Sequence, residues 1–237
     1  VARHFHRSTE PYPGPVIRAV GDRHDVTIVA EPYAQRPSDR GRTLQQPFCS
    51  IPMEDEPRGR HAEPCIEPAA VEEEQAGGGI RRREDIVRLL GAGVDRVVIG
   101  TLALTEKSAV QAWLGEFGPS AITLAFDVKT DDQGVWRCAS HGWTELSPDS
   151  LDEVIAFYRQ AGLQHLLCTD IARDGLLGGY NLDLYRHLQE RWPELQVQAS
   201  GGVSSLDDIR AVKALGVSGA ILGRALLEGK FTLGEAL

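Results

Sequence analysis

Residues 75–104, QAGGGIRRREDIVRLLGAGVDRVVIGTLAL, recur without a gap 123 positions later, at 198–227, as QASGGVSSLDDIRAVKALGVSGAILGRALL. Ten of the thirty aligned positions are identical. They include Gly78/Gly201, Gly79/Gly202, Gly93/Gly216 and Gly100/Gly223, so what the copies share is turn geometry rather than composition. Each copy reads as a strand end, a glycine turn, an amphipathic helix (Ile86, Leu89 and Leu90 against Ile209, Val212 and Leu215), a glycine stop and a β-branched run closed by glycine. That is a βαβ unit. The period is too long for a solenoid, and two periods make about 246 residues, close to the roughly 250 of a (β/α)8 barrel. The repeat therefore predicts an α/β fold, a TIM barrel of two duplicated half-barrels.

Downstream of residue 75 the alternation is regular. Strands are predicted near 97–99, 121–126, 165–168, 196–199 and 220–222, with helices near 82–91, 105–115, 150–161, 182–191 and 205–214. Ser150 with Glu153 three residues on resembles a capping box, and Gly162 stops that helix. Strands alternating with helices call for a parallel sheet.

The first 74 residues read differently. They hold ten of the thirteen prolines, nine arginines and four of the seven histidines, and within them 26–30 has the pattern of a strand. The conflict is sharpest at 71–76, VEEEQA, where the repeat demands barrel strand three because its counterpart, LQVQA at 195–199, is strand seven. Buried barrel strands rarely carry three successive carboxylates. Two readings compete, a disordered natural extension and a sequence out of its reading frame up to about Gln75, and the abruptness of the change favours the second. The division expected is an anomalous Pro/Arg-rich segment, 1–74, and a βα barrel portion, 75–237, comprising strands three/four to eight. The N-terminal three βα units are then abnormal or missing, and the last helix is expected to continue past Leu237.

At 237 residues with 42% apolar and 25% charged residues, the chain has the balance of one large globular domain. No segment reads as a secretory signal or a membrane span, which makes a soluble, cytoplasmic protein the expectation. Cys49, Cys65, Cys138 and Cys168 lie far apart and signal neither a zinc site nor a disulfide framework. A formal charge of −9 argues against a nucleic-acid partner, and any anionic ligand must be held by local dipoles and a few cations.

Such dipoles are available at the glycine turns. Gly77 to Gly79 and Ser200 to Gly202 each precede a helix, and Gly100 with Thr101 and Gly223 with Arg224 close the following strands. One such turn alone would read as a tight βα connection. Two symmetric copies, in strand pairs three/four and seven/eight, favour a phosphate site on each side of the barrel, hence a small-molecule ligand with a phosphate at either end. Three acids follow strands: Asp127 closes ITLAFD, Asp170 follows LLCT, and Asp174 sits in ARDG. Strand C-termini face the active site of such a barrel, so Asp127 is a candidate acid or base, although capping a loop or pairing with Lys129 would also explain it. Asp170 reads equally as structural or functional. Asp174 either reaches over a ligand or makes a turn. Trp143 in SHGWTELS stacks on a planar heterocycle or covers the core, and His141 reads as a solvent-facing loop residue.

These motifs resemble the phosphoribosylformimino-aminoimidazole carboxamide ribotide isomerases of histidine biosynthesis. The resemblance rests on GGGIR at 77–81, VVIGT at 97–101, AFDVK at 125–129, HGWTE at 141–145, CTDIARDG at 168–175, SGGVSSLDDI at 200–209 and GRALLEGKF at 223–231, in order over residues 75–237. The sister cyclase shares the half-barrel repeat but is less similar at CTDIARDG and GRALLEGKF. The resemblance implies an Amadori rearrangement of an aminoaldose to an aminoketose, with no metal and no redox cofactor. A general acid opens the ribose ring, and a base moves a proton from C2 to give an enol-type intermediate that collapses to the ketose. It also implies that Asp127 is the strand-five proton donor, with Thr169 and Asp174 as helpers from strand six. Trp143 would stack on the imidazole carboxamide. Gly79, Arg81, Gly100 and Thr101 would hold one phosphate, and Gly178, Gly201, Gly202, Gly223 and Arg224 the other. A monomer is implied, with association through open barrel edges expected of residues 75–237 alone.

One departure bears on activity. The resemblance places the proton acceptor, an Asp, on the first strand, and Asp127 minus the period points near residue 4, where the chain reads VARHFHR. The counterpart of Asp170 falls near residue 47, in QQPFCS. Neither stretch holds a carboxylate. The expectation is an isomerase by descent with little or no turnover. The alternatives are an inactive partial barrel that still binds phosphate, the related cyclase, or an isomerase that also serves tryptophan synthesis.

Overall fold

The computed structural model describes residues 16–21, 27–29 and 71–237 apart from 141, 142 and 144; for 16–21, 27–29 and 71–73 only strand pairing is described. The expectations for the rest of 1–70, for the positions near 4 and 47, for Cys49 and Cys65, and for His141 lie outside the described residues.

The chain order is β1 (Val16–Gly21), β2 (Thr27–Val29), β3 (Val71–Gly77), α1 (Arg83–Gly91), β4 (Arg96–Ile99), α2 (Leu102–Thr105), α3 (Lys107–Phe117), β5 (Ile122–Thr130), β6 (Trp136–Ser140), β7 (Glu145–Ser150), α4 (Leu151–Arg159), β8 (His165–Asp170), α5 (Leu182–Arg191), β9 (Gln196–Ser200), α6 (Leu206–Ala214), β10 (Gly219–Ile221), α7 (Arg224–Leu227) and α8 (Leu233–Ala236). Helices alternate with strands that pair in parallel from β3 to β4, β5, β8, β9 and β10, and β10 pairs in parallel with β2. The sheet curls, because β4 bonds both β3 and β5 while β1 joins β2 to β3 in antiparallel sense. In the whole chain the edges of β3 and β10 are thus paired with β1 and β2.

The sequence repeat is a structural repeat with the same offset. Shifting α1 by 123 residues gives the bounds of α6. The strand pairs shift with it: Gln75 and Ala76 face Arg96 and Val97, as Gln198 and Ala199 face Gly219 and Ala220. Both helices start at an extended residue, Arg82 or Ser205, closed by an aspartate three positions on. Asp85 Oδ2 accepts from the N–H of Arg81 and Arg82, and Asp208 Oδ2 from those of Ser204 and Ser205. These contacts hold both carboxyls below the usual aspartate range, against the opposing effect of desolvation, which is the largest single influence at Asp208. Buried Ile86 and Leu89 correspond to Ile209 and Val212.

Two apolar layers follow from strand alternation. Outward residues such as Ile122, Leu124, Phe126, Leu166 and Cys168 pack under the helices. On α4, Leu151, Val154, Ile155 and Tyr158 are fully buried, each contributing about 2 kcal/mol. The capping box at Ser150 and Glu153 fixes where that helix starts. Inward residues Val98, Ala125, Leu167 and Ile221 form a second, smaller cluster inside the curl.

Several expectations change. The stretch at 71–76 is strand β3 despite its carboxylates. The reason lies in the pairing: Glu72 and Glu73 lie opposite Val20 and Ala19 of β1, and contact with the β4 side begins at Glu74, whose N–H donates to Asp95 Oδ2 and whose carbonyl accepts from the Asp95 N–H. Asp127 does not close its strand, since β5 runs on to Thr130 and turns into the β6–β7 hairpin. Asp131 makes that turn, accepting from the N–H of Gln133 and Val135 and from Arg137. The helix expected over 105–115 is α3, shifted by two residues, and the short α2 precedes it.

Candidate functional site

Two residues beyond each member of the inner apolar cluster, on the same strand face, stands a residue of interest: Gly100 after Val98, Asp127 after Ala125, Thr169 after Leu167 and Gly223 after Ile221. The cluster is the floor of the candidate site. Register carries the site sideways, because Asp127 lies opposite Thr169 and Thr169 opposite Ser200. Asp127 is half-buried, whereas Thr169 and Ser200 are buried.

Ser200 lines a cavity of about 760 Å³ over the ends of β8, β9 and β10, together with Asp174, Gly201, Gly202, Gly223, Arg224 and Glu228. Its shape depends on Gly202, at φ 96°, where an added Cβ would come within 2.5 Å of the Gly179 carbonyl oxygen. The Gly179 N–H in turn donates to the Gly202 carbonyl at 2.8 Å. The Ser204 and Ser205 amides, just before α6, are taken by Asp208. The N–H groups of Gly202, Val203 and Gly223 have no acceptor among the described residues, and neither do those of Gly79, Ile80 and Gly100, their counterparts one period earlier. Two matching sets of three donors are thus without a protein acceptor among the described residues.

Asp174 belongs to the connection from β8 to α5, which Asp170 organises. The Asp170 side chain, 2% exposed, accepts from Asn181 Nδ2 at 2.6 Å and from the Ala172 N–H at 2.9 Å. Its carbonyl accepts from the N–H of Arg173 and Asp174. Every one of these contacts is within the loop, so Asp170 is a loop organiser. Asp174 itself is exposed as a residue, yet its carboxyl pKa is raised, first by desolvation at the cavity and then by the charge of Asp127.

Trp143 sits in the β6–β7 connection, 46% exposed with φ 73°, and its indole donates to Asp127. Gly178 is outside the cavity lining, its carbonyl 3.4 Å from Arg173 Nη1. Arg81 and Thr101 are exposed on the side of the first repeat, with Thr101 starting α2. The structure therefore gathers Asp174, Gly201, Gly202, Gly223 and Arg224 at one cavity, joins Asp127 and Trp143 beside it, and leaves Gly79, Arg81, Gly100 and Thr101 one period away. Sequence reading missed Glu228 and two tyrosines. Tyr185 OH accepts from the Ser200 N–H at 3.0 Å and lies within hydrogen-bonding reach of the Cys168 and Ser200 carbonyls, and Tyr180 OH donates to the Ile221 carbonyl at 2.9 Å. Both are buried, their rings edge to face with centroids 6.0 Å apart, and they tie β8, β9 and β10 together beneath the cavity. Their place in α5 and its approach is legible in the sequence only as apolar periodicity. No group of three His, Cys, Asp or Glu among the described residues is arranged to hold a metal ion, and no helix among them is long and apolar enough to cross a membrane.

The family described as histidine biosynthesis protein matches residues 63–232, well over half of the chain. The chain belongs to this family. Its relatives include a protein of Xanthomonas campestris pv. campestris (strain B100), named 1-(5-phosphoribosyl)-5-((5-phosphoribosylamino)methylideneamino) imidazole-4-carboxamide isomerase, which is 53% identical over 163 residues, 69% of this chain and 67% of the relative. A protein of the same name from Proteus mirabilis (strain HI4320) is 52% identical over 163 residues, 69% of this chain and 66% of the relative. The histidine biosynthesis match spans both copies of the βαβ repeat, and so includes both sets of glycine donors.

Proposed function

We propose that the chain is a histidine-biosynthesis isomerase by descent, built as a (β/α)8 barrel of two half-barrels, that binds a small imidazole carboxamide carrying two phosphoribosyl groups and is organised for its aldose-to-ketose rearrangement. The observation that carries this reading is the pair of unpaired donor sets, Gly79, Ile80 and Gly100 against Gly202, Val203 and Gly223, one period apart with Asp127 and Thr169 between them on the strand sequence. A ligand with a phosphate at each end fits two like cradles, and the names of the relatives describe such a compound.

In this reading Asp127 delivers the proton that opens the ribose ring, and Thr169, its neighbour across the β5–β8 rung, orients the oxygen. Asp174, whose raised pKa favours a protonated carboxyl closer to neutrality, assists from the loop. Trp143 leaves Asp127 to stack on the imidazole carboxamide. Arg81 and Thr101 complete the first cradle, and Gly178, Gly201 and Arg224 the second. Residues 1–74 are the anomalous segment and 75–237 the barrel portion, although β1, β2 and the start of β3 pair into the same sheet. No carboxylate stands near residue 4 to accept the C2 proton, so binding outlasts catalysis: the chain holds the substrate and turns it over slowly.

Turnover of the purified chain on the bisphosphorylated substrate, with binding measured alongside by calorimetry, tests both halves. Binding with a rate far below that of an intact relative is the expected result. A rate near that of the relative removes the missing-base argument, and absence of binding removes the isomerase reading itself.

A further inference from the structure

The two cradles differ at the helix after the second glycine. Where the second copy has Arg224 and Glu228, the first has Thr101 and Thr105 at the matching positions. Arg224 Nε donates to Glu228 Oε1 at 2.5 Å and its Nη1 donates to the Gly175 carbonyl at 2.7 Å. In the first copy the Thr105 hydroxyl donates to the Thr101 carbonyl at 3.4 Å and no charge is involved. Arg224, Glu228 and Gly175 all line the cavity that holds Gly202 and Gly223.

A guanidinium grips phosphate bidentately through one of two forks, its end pair Nη1 and Nη2 or its side pair with Nε. Here each fork has one tooth in use. Releasing Nη1 would free Gly175 and with it the loop that carries Asp174. Releasing Nε displaces only Glu228, a carboxylate that an incoming dianion repels. The second cradle thus contains a built-in competitor for its own cation, and the first does not.

We propose that Glu228 is a specificity gate: it occupies Arg224 as an internal counter-ion, weakens the second cradle for any ligand with a single phosphate, and is displaced by a ligand already anchored in the first cradle. This rests on the two-cradle reading of the function. Specificity here comes from a repulsive element set against the wrong ligand rather than from added contacts to the right one. Arg224 meanwhile keeps its bond to Gly175, so the Asp174 loop stays in place as the carboxylate leaves.

The test uses the full-length chain, isotope-labelled, titrated with inorganic phosphate while the backbone amides of Gly202 and Gly223 are followed against those of Gly79 and Gly100. In Glu228→Gln, and again in Glu228→Ala, phosphate affinity read at Gly202 and Gly223 should rise about fivefold, the scale of one exposed ion pair, with Gly79 and Gly100 unchanged. If phosphate moves both pairs of glycines in the unaltered chain but neither variant tightens the second pair, the gate is overturned and the two-cradle reading stands. If phosphate moves neither pair, the reading of the function falls and the gate falls with it.

Discussion

The indole Nε1–H of Trp143 donates to Oδ2 of Asp127 at 2.9 Å. A tryptophan at φ 73° is held in a backbone region that costs an ordinary residue about 1 kcal/mol or more, so the contact is made in spite of local preference. The β6–β7 hairpin holds it there, anchored by Arg137 to Asp131 and to the Pro148 carbonyl, and by the Lys107–Asp149 ion pair.

Trp143 has two separable assets, a flat ring and a donor. Trp143→Phe keeps the ring, and the dissociation constant of the bisphosphorylated substrate should change by less than about threefold; Trp143→Ala should weaken binding about tenfold, the scale of one aromatic stack. Calorimetric titration distinguishes them. Equal losses in the two variants would assign the effect to the Asp127 bond instead.

His165 is 6% exposed at the start of β8, and burial first, with Arg96 second, lowers its pKa to about 4. The unfolded chain binds the proton near pH 6.5, so this site contributes stability above that pH and loses it as pH falls towards 4. The loss at about pH 5 relative to about pH 8 is roughly 2 kcal/mol. Urea unfolding of the unaltered chain and of His165→Gln at both pH values should show that difference only in the former.

Tyr185 is fully buried and its hydroxyl stands in for a strand acceptor at the Ser200 N–H. Tyr185→Phe strands that amide, at a cost of about 1–3 kcal/mol in urea unfolding. The Ser200 amide should also exchange its hydrogen faster in the variant, while the phosphate-dependent shift at Gly201 should stay as it is.

Gly79 and Gly202 occupy one turn in two surroundings. Both have positive φ, but a Cβ added at Gly79 would meet nothing within 4 Å, while one added at Gly202 would run into the Gly179 carbonyl. Gly79→Ala should cost about 1 kcal/mol and Gly202→Ala about 3 kcal/mol or more, measured by thermal melts.

The repeat makes the barrel portion legible because a glycine turn and an amphipathic helix face constrain local geometry, and the bounds of α5 follow from the sequence to the residue. The hairpin is hidden because VKT and VWRCAS alternate too briefly to stand apart from the strand before them. Glu228 is hidden for another reason: it reads as one more surface acid on a short helix until its partner, Arg224, is seen to point back into the cavity. Asp170 is an even choice from sequence, because its bonds to Asn181 and the Ala172 N–H depend on how the following loop folds back.

Because β3 through β4 and β9 through β10 share register, caps and turns, the protein carries its own replicate. Residues 198–227 are in effect a spare part for 75–104: the same bolts at the same spacing, proven in a second setting, so that a defect in one copy can be judged against, or rebuilt from, the other.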